Sequence, residues 1–137
     1  MRVVLDTNLW VSAALRPTGL VARLVDRMVE NGEVLISSPF ICHELERVLE
    51  RLGFPVEGVR KASQAIRGVA DIVSPVIRID HITSDPTDNK ILECAIEGRA
   101  DAILTGDLRH IRPLGSFRGI EILTPREFAD AYYPDLR

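Results

Sequence analysis

Short runs of apolar residues, each followed closely by a polar or capping residue and then by a stretch of helical periodicity, do most to restrict how this chain can fold. Val3-Val4-Leu5 is such a run and reads as a buried strand. Glu33 to Ser37, Ala102 to Thr105 and Ile120 to Leu123 read as further strands. Between them lie helices with recognisable ends. Asp6-Thr7-Asn8 can cap a helix running to about Leu15. Thr18-Gly19 opens a second, with Leu20, Leu24, Val25 and Met28 on one face, and Asn31-Gly32 stops it. Ser38-Pro39 starts a third, ended by Gly53, since proline suits a first helical turn. Residues 55 to 71 form a fourth with a weaker face. Asp85-Pro86-Thr87-Asp88 begins a fifth that runs to about Glu97, with Gly98 past its end, and Thr124-Pro125 caps the last. Asp107 to Ile111 reads as a short turn of helix. Residues 72 to 79 read as a strand or an extended connector, and Pro75 favours a sheet edge. The least informative stretch is 54 to 80.

Strands alternating with helices predict an α/β fold of three layers, a central, mostly parallel sheet flanked by helices on both faces. The chain's 137 residues predict a single domain over 1–137, and a hydrophobic content of 46% argues against disorder. The formal charge of −3 exerts no long-range pull on nucleic acid, although bound metal would offset several acids. Cys42 and Cys94 form no C-x-x-C, so a reduced, cytoplasmic protein is expected. The start MRVVLDTN reaches a charged residue at once and is no signal peptide. No apolar run approaches the roughly 20 residues that span a bilayer.

In an open parallel sheet, ligands bind outside the carboxyl ends of the strands. Asp6 and Asp107 follow apolar runs directly and are expected at that edge. Each also has a plainer role, as a cap on the next helix. Glu44 borders the stripe of Ile41, Leu45, Val48, Leu49 and Leu52, where a carboxylate needs a partner; Arg47 or Arg51 would serve. Asp88 shares a face with Ile91, Leu92 and Ala95, and with Asp85 as N-cap it would sit near a capping-box position. Together, however, the four converge on one edge. Carboxylates so close resist joint ionisation and should raise one another's pKa. A divalent cation resolves the conflict, and an all-oxygen set favours Mg²⁺ or Mn²⁺ over Zn²⁺. Such ions activate water and stabilise charge on a phosphodiester.

These residues lie in VVLDTN, SSPFICHELERVL, DPTDNKILECAIEGRAD and AILTGD, with ILTPREF following. In that order, over almost the whole chain, they resemble the PIN-domain nucleases, especially the ribonuclease toxins of bacterial and archaeal toxin–antitoxin pairs. The resemblance implies a metal-dependent ribonuclease in which Asp6, Glu44, Asp88 and Asp107 are catalytic. Asp6, Asp88 and Asp107 would hold Mg²⁺ or Mn²⁺, Glu44 would position water or complete the shell, and Asn8 and Thr105 would support them. It implies an RNA substrate, a small antitoxin partner and a homodimer. Many relatives carry another acid two residues after the last aspartate, where this chain has Arg109, which argues against a full second metal site.

Lys90, Arg109, His110 and Arg112 read as phosphate contacts or as ordinary solvated charge. His43 faces away from Glu44 and is assigned no role. Trp10 reads as core or interface, and Tyr132 and Tyr133 as a subunit contact or as closure of the last helix. Two rival readings are a catalytically silent PIN-like binding module and a Mg-dependent phosphoacceptor or phosphatase domain. The complete set of four acids speaks against the first. The second wants D-x-D at Asp6 and a late lysine; here Thr7 and Asn8 follow, and Lys90 is the last lysine.

Overall fold

The computed structural model describes residues 1–80 and 86–136. In chain order the elements are β1 (Arg2–Leu5), α1 (Thr7–Leu15), α2 (Leu20–Glu30), β2 (Val34–Ser37), α3 (Pro39–Arg51), α4 (Val56–Val69) and β3 (Ala70–Ile72). There follow α5 (Pro86–Glu97), β4 (Ala102–Leu104), β5 (Ser116–Phe117), β6 (Ile120–Leu123) and α6 (Pro125–Tyr132). The strand order is β3-β2-β1-β4-β6-β5. All neighbours are parallel except β5 and β6. The α/β fold with a mostly parallel sheet flanked by helices is therefore the observed one.

The order places a topological switch point between β1 and β4, because the chain leaves β1 towards β2 and later returns to its other side at β4. A crevice opens outside the carboxyl ends of such a pair. β1 and β4 are sealed on both faces: Val3, Val4, Leu5, Ile103 and Leu104 have at most 1% exposure, as parallel strands covered by helices require. α5 packs on β1 and β2, and α2 packs on β2 and on α6. No described helix is long and apolar enough to cross a membrane.

Several local expectations need correction. Of the two readings of residues 72 to 79, the extended connector holds from 73 onward; the strand lies earlier, at Ala70–Ile72, where it joins the outer edge of β2 and displaces the end of the fourth helix. Residues 73 to 80 have no regular structure. Acids of α5 hold them, Glu97 accepting from the Val76 N–H at 3.1 Å and Glu93 from the Ile79 N–H at 3.0 Å. Pro75 thus lies past the strand. Residues 108 to 111 form turns, and a 3₁₀ turn follows them at Arg112–Leu114. β5 was not expected; Phe117 pairs with Ile120 around a two-residue loop, and Arg118 and Gly119 take φ of 51° and 82°. Positive φ at both positions is the type I′ geometry that suits strand twist. Leu52 is exposed beyond α3 rather than part of its stripe. The proposed N-cap Asp85 lies outside the described residues.

Gly98 serves close approach. A Cβ there would meet Ile36 Cγ2 at 2.6 Å, so the end of α5 can lie against β2 only without a side chain. The left-handed residue that ends the helix is Arg99, with φ 52°. Cys42 and Cys94 are free and buried; burial pushes the Cys94 thiol up to about 12, against a hydrogen bond with Ser38.

Candidate metal centre at the carboxyl edge of the sheet

Asp6 continues the ladder beyond β1, its N–H donating to Leu104 O at 2.9 Å. Its carboxylate makes no capping hydrogen bond to α1. Instead Thr105, which follows β4, donates its hydroxyl to Asp6 Oδ2 at 2.8 Å. The same hydroxyl oxygen accepts from the Asp107 N–H at 2.9 Å. Thr105 is fully buried and its own N–H donates to Leu123 O at 3.0 Å. One side chain just past β4 thus sets the spacing of two acids, and β6 holds that residue in place.

Asp107 divides its oxygens between two tasks. Oδ1 accepts the N–H groups of Arg109 at 2.9 Å and His110 at 3.0 Å, closing a tight turn. Oδ2 lies 3.3 Å from His110 Nδ1, and that nitrogen is 3.5 Å from Asp88 Oδ2 on α5. Asp88 is itself buried near the start of α5.

Asp6, Glu44, Asp88 and Asp107 all line one cleft of about 720 Å³, together with Asn8 and His110. Glu44 reaches it from α3 while its Oε1 pairs with Arg47, so the plain ion-pair reading of Glu44 holds beside its place in the cleft. The tightest group among the described residues is Asp88, Asp107 and His110, whose ligand-capable atoms all lie within 4.8 Å of one another. Asp6 and Glu44 line the cleft outside that group. His110, expected as a phosphate contact or as ordinary solvated charge, faces the acids instead; its position three residues after Asp107 was visible in the sequence, but the turn that aims its ring inward was not.

Electrostatics separates the acids. Burial is the main cause that raises Asp6 above its ordinary pKa, with the Asp107 charge adding to it and the Thr105 hydroxyl and the nearby N–H groups of Asn8 and Thr7 opposing it. The expected mutual repulsion is present but secondary. Asp107 goes the other way. Burial works upward on it, yet the N–H groups of His110 and Arg109 and the His110 ring together hold it below the usual range.

Of the neighbouring cations, Arg51 and Arg109 line the cleft. Arg112 does not, because Glu127 engages it, Nε donating to Oε1 at 2.7 Å. Glu127 also completes the capping box of α6 with Thr124, and is held down to about 2 by its hydrogen bond from Arg112 first. Lys90 lies 3.4 Å from Glu93. His43 is exposed, near Glu46, and plays no part in the cleft. Trp10 is core, Tyr133 is buried, and Tyr132 is exposed on α6.

The donor set suits a divalent ion: hard carboxylate oxygens converge on a partly buried point, with an imidazole nitrogen beside them. A family model described as PIN domain matches residues 2–109. The chain belongs to the PIN-domain family. An uncharacterized protein of Methanocaldococcus jannaschii is 28% identical to it over 145 residues, covering 96% of this chain and 92% of the relative. The crystal structure of VapBC2 from Rickettsia felis, bound to a DNA fragment from their promoter, contains a chain of similar fold. Its TM-score is 0.67 at 15% identity, with 89% of this PIN domain and 97% of that chain covered.

Within this PIN domain Thr105 carries a prediction. Thr105→Val keeps shape but leaves Asp6 Oδ2 and the Asp107 N–H without their partner. Denaturant unfolding should show a loss of about 1–3 kcal/mol. Thr105→Ser, which retains the hydroxyl, should lose clearly less. Equal losses in the two variants would mean that the methyl group, not the hydroxyl, matters at this position.

Proposed function

We propose that this protein is a metal-dependent ribonuclease that hydrolyses RNA phosphodiester bonds, acting in the cytoplasm as the toxin of a toxin–antitoxin pair. The observation that carries the reading is the sharing of one cleft, at the β1/β4 switch point, by Asp6, Glu44, Asp88 and Asp107. PIN domains are generally nucleases, which supports the reaction class. The toxin assignment draws on the likeness to a chain of the VapBC2 complex.

Asp6, Asp88 and Asp107 would hold Mg²⁺ or Mn²⁺. A divalent ion supplies Lewis acidity towards the phosphodiester and acidifies a water molecule. The chain's own contribution is placement. Thr105 spaces Asp6 from Asp107, and the turn at Arg109 and His110 commits one Asp107 oxygen to the backbone and leaves the other facing the His110 ring, which also approaches Asp88. Glu44 stands on the α3 side of the cleft, where it can orient a water for attack. Arg51 and Arg109 offer guanidinium groups for phosphates of the bound strand. Because the net charge is −3, binding draws on these local cations and on the ion rather than on a long-range field. A small antitoxin covering the cleft and a homodimer complete the proposal.

The test is direct. Chelator-stripped protein should leave single-stranded and structured RNA intact, cleave it when Mg²⁺ or Mn²⁺ is added, and stop when EDTA is restored. Cleavage that persists in EDTA, or none with any divalent ion, would reject the reading.

A further inference from the structure

We propose that His110 is a ligand of the metal centre, coordinating through Nδ1 beside Asp88 and Asp107, and that this nitrogen makes the centre favour Mn²⁺ over Mg²⁺. The inference rests on the metal-dependent reading above and extends its ligand set.

Two donors bound to one ion at about 2.0–2.2 Å, with angles of about 90–110° between them, stand roughly 3.0–3.5 Å apart. His110 Nδ1 is 3.3 Å from Asp107 Oδ2 and 3.5 Å from Asp88 Oδ2. Both spacings match neighbouring corners of one coordination shell. Both exceed the roughly 2.7–2.9 Å of a strong charge-assisted N–H···O bond, which is the spacing a histidine serving only as a counter-cation would favour.

The ring is also held there by the acid it would join. The His110 N–H donates to Asp107 Oδ1 at 3.0 Å, so Oδ2 of that carboxylate and the imidazole project from one closed turn. Asp88 reaches the same point from α5, a separate element on the other side of β4 in the chain. A chance surface histidine would not meet two acids from separate elements at nearly equal distance. Only about a third of its side chain is exposed.

The chemical consequence follows from donor type. Mg²⁺ demands oxygen donors and near-octahedral geometry, and it keeps much of its water. A nitrogen donor adds little to its binding. Later divalent metals take imidazole readily, and Mn²⁺ accepts both donor kinds.

The experiment uses the chelator-stripped full chain with Mn²⁺ as probe. Electron spin-echo spectra of the Mn²⁺-loaded wild type should show coupling to a directly bound nitrogen. His110→Ala and His110→Gln should lose it while keeping native circular dichroism. Mn²⁺ affinity should fall at least about tenfold in both, with Mg²⁺ affinity, read by competition, changing less. Bound Mn²⁺ without nitrogen coupling, or equal losses for the two ions, would overturn the histidine's role. Asp88→Asn separates the layers of the argument. If it weakens Mn²⁺ binding while the wild type lacks a nitrogen signal, only the histidine inference fails. If it leaves Mn²⁺ binding unchanged, the ion lies elsewhere and both readings fall.

Discussion

Asp107→Asn is expected to lower RNA cleavage by at least about a hundredfold while leaving the fold intact. The substitution is unusually clean because Asp107 uses its two oxygens differently. Oδ1 accepts from the N–H groups of Arg109 and His110, and an asparagine carbonyl accepts the same two bonds. The turn therefore survives. Oδ2, which faces His110 and the Asp88 carboxylate, becomes an amide that donates rather than accepts. An anionic ligand is lost at the point where charge must be held. Repulsion on buried Asp6 is relieved, but the N–H groups and the His110 ring that hold Asp107 below its usual range lose their anionic partner, so the metal-free variant should melt slightly below wild type and still unfold cooperatively. Initial rates on an end-labelled RNA, with melting curves of the same samples, check both parts. RNA binding should suffer less than cleavage, since removing a negative charge does not harm phosphate contacts. Equal cleavage by the two proteins would assign the activity to another site or to a contaminant.

The placement of Asp6 and Asp107 was legible because it depends on local pattern alone. An apolar run that stops at an acid, directly for Asp6 and across Thr105-Gly106 for Asp107, locates that acid at the carboxyl edge of a buried strand, whatever the rest of the chain does. Glu44 and Asp88 were legible through helical periodicity, which showed each beside an apolar stripe. The strand order was not, because it is decided by contacts between distant segments. The switch point between β1 and β4 that turns these positions into one cleft emerges only in the assembled sheet. Arg112 shows the same limit. Its neighbours suggested a phosphate contact or solvated charge, and its partner is Glu127, 15 residues away. β5 escaped because two residues carry no periodicity, and because its I′ turn places Arg118, rather than the usual Asn or Asp, at positive φ. His110 escaped for a related reason: spacing located it near Asp107 but could not say which way a turn directs a ring.

The last helix lies beyond residues 2–109, the part matched by the family model, and it is nonetheless expected to be indispensable. Phe128 on α6 has no exposure, with the Tyr132 and Tyr133 rings at 4.8 and 6.1 Å. α6 packs against α2, itself seated on β2, and follows β6 directly. β6 in turn pairs with β4, and Leu123 O accepts the N–H of Thr105, whose hydroxyl spaces the acids. Phe128→Ala should thus remove about 3–5 kcal/mol, through lost transfer energy and the cavity left behind. Against a total of roughly 5–15 kcal/mol, that is a large share. The melting temperature should fall by on the order of 10 °C or more. Phe128→Leu, which fills much of the same volume, should lose clearly less. Because backbone pairing of β6 with β4 persists in whatever fraction stays folded, cleavage per folded molecule, measured well below the transition, should change little. Calorimetry and rates on the same preparations separate the two effects. A variant that melts within a degree of wild type would show that α6 is an appendage and that β6 holds Thr105 without it.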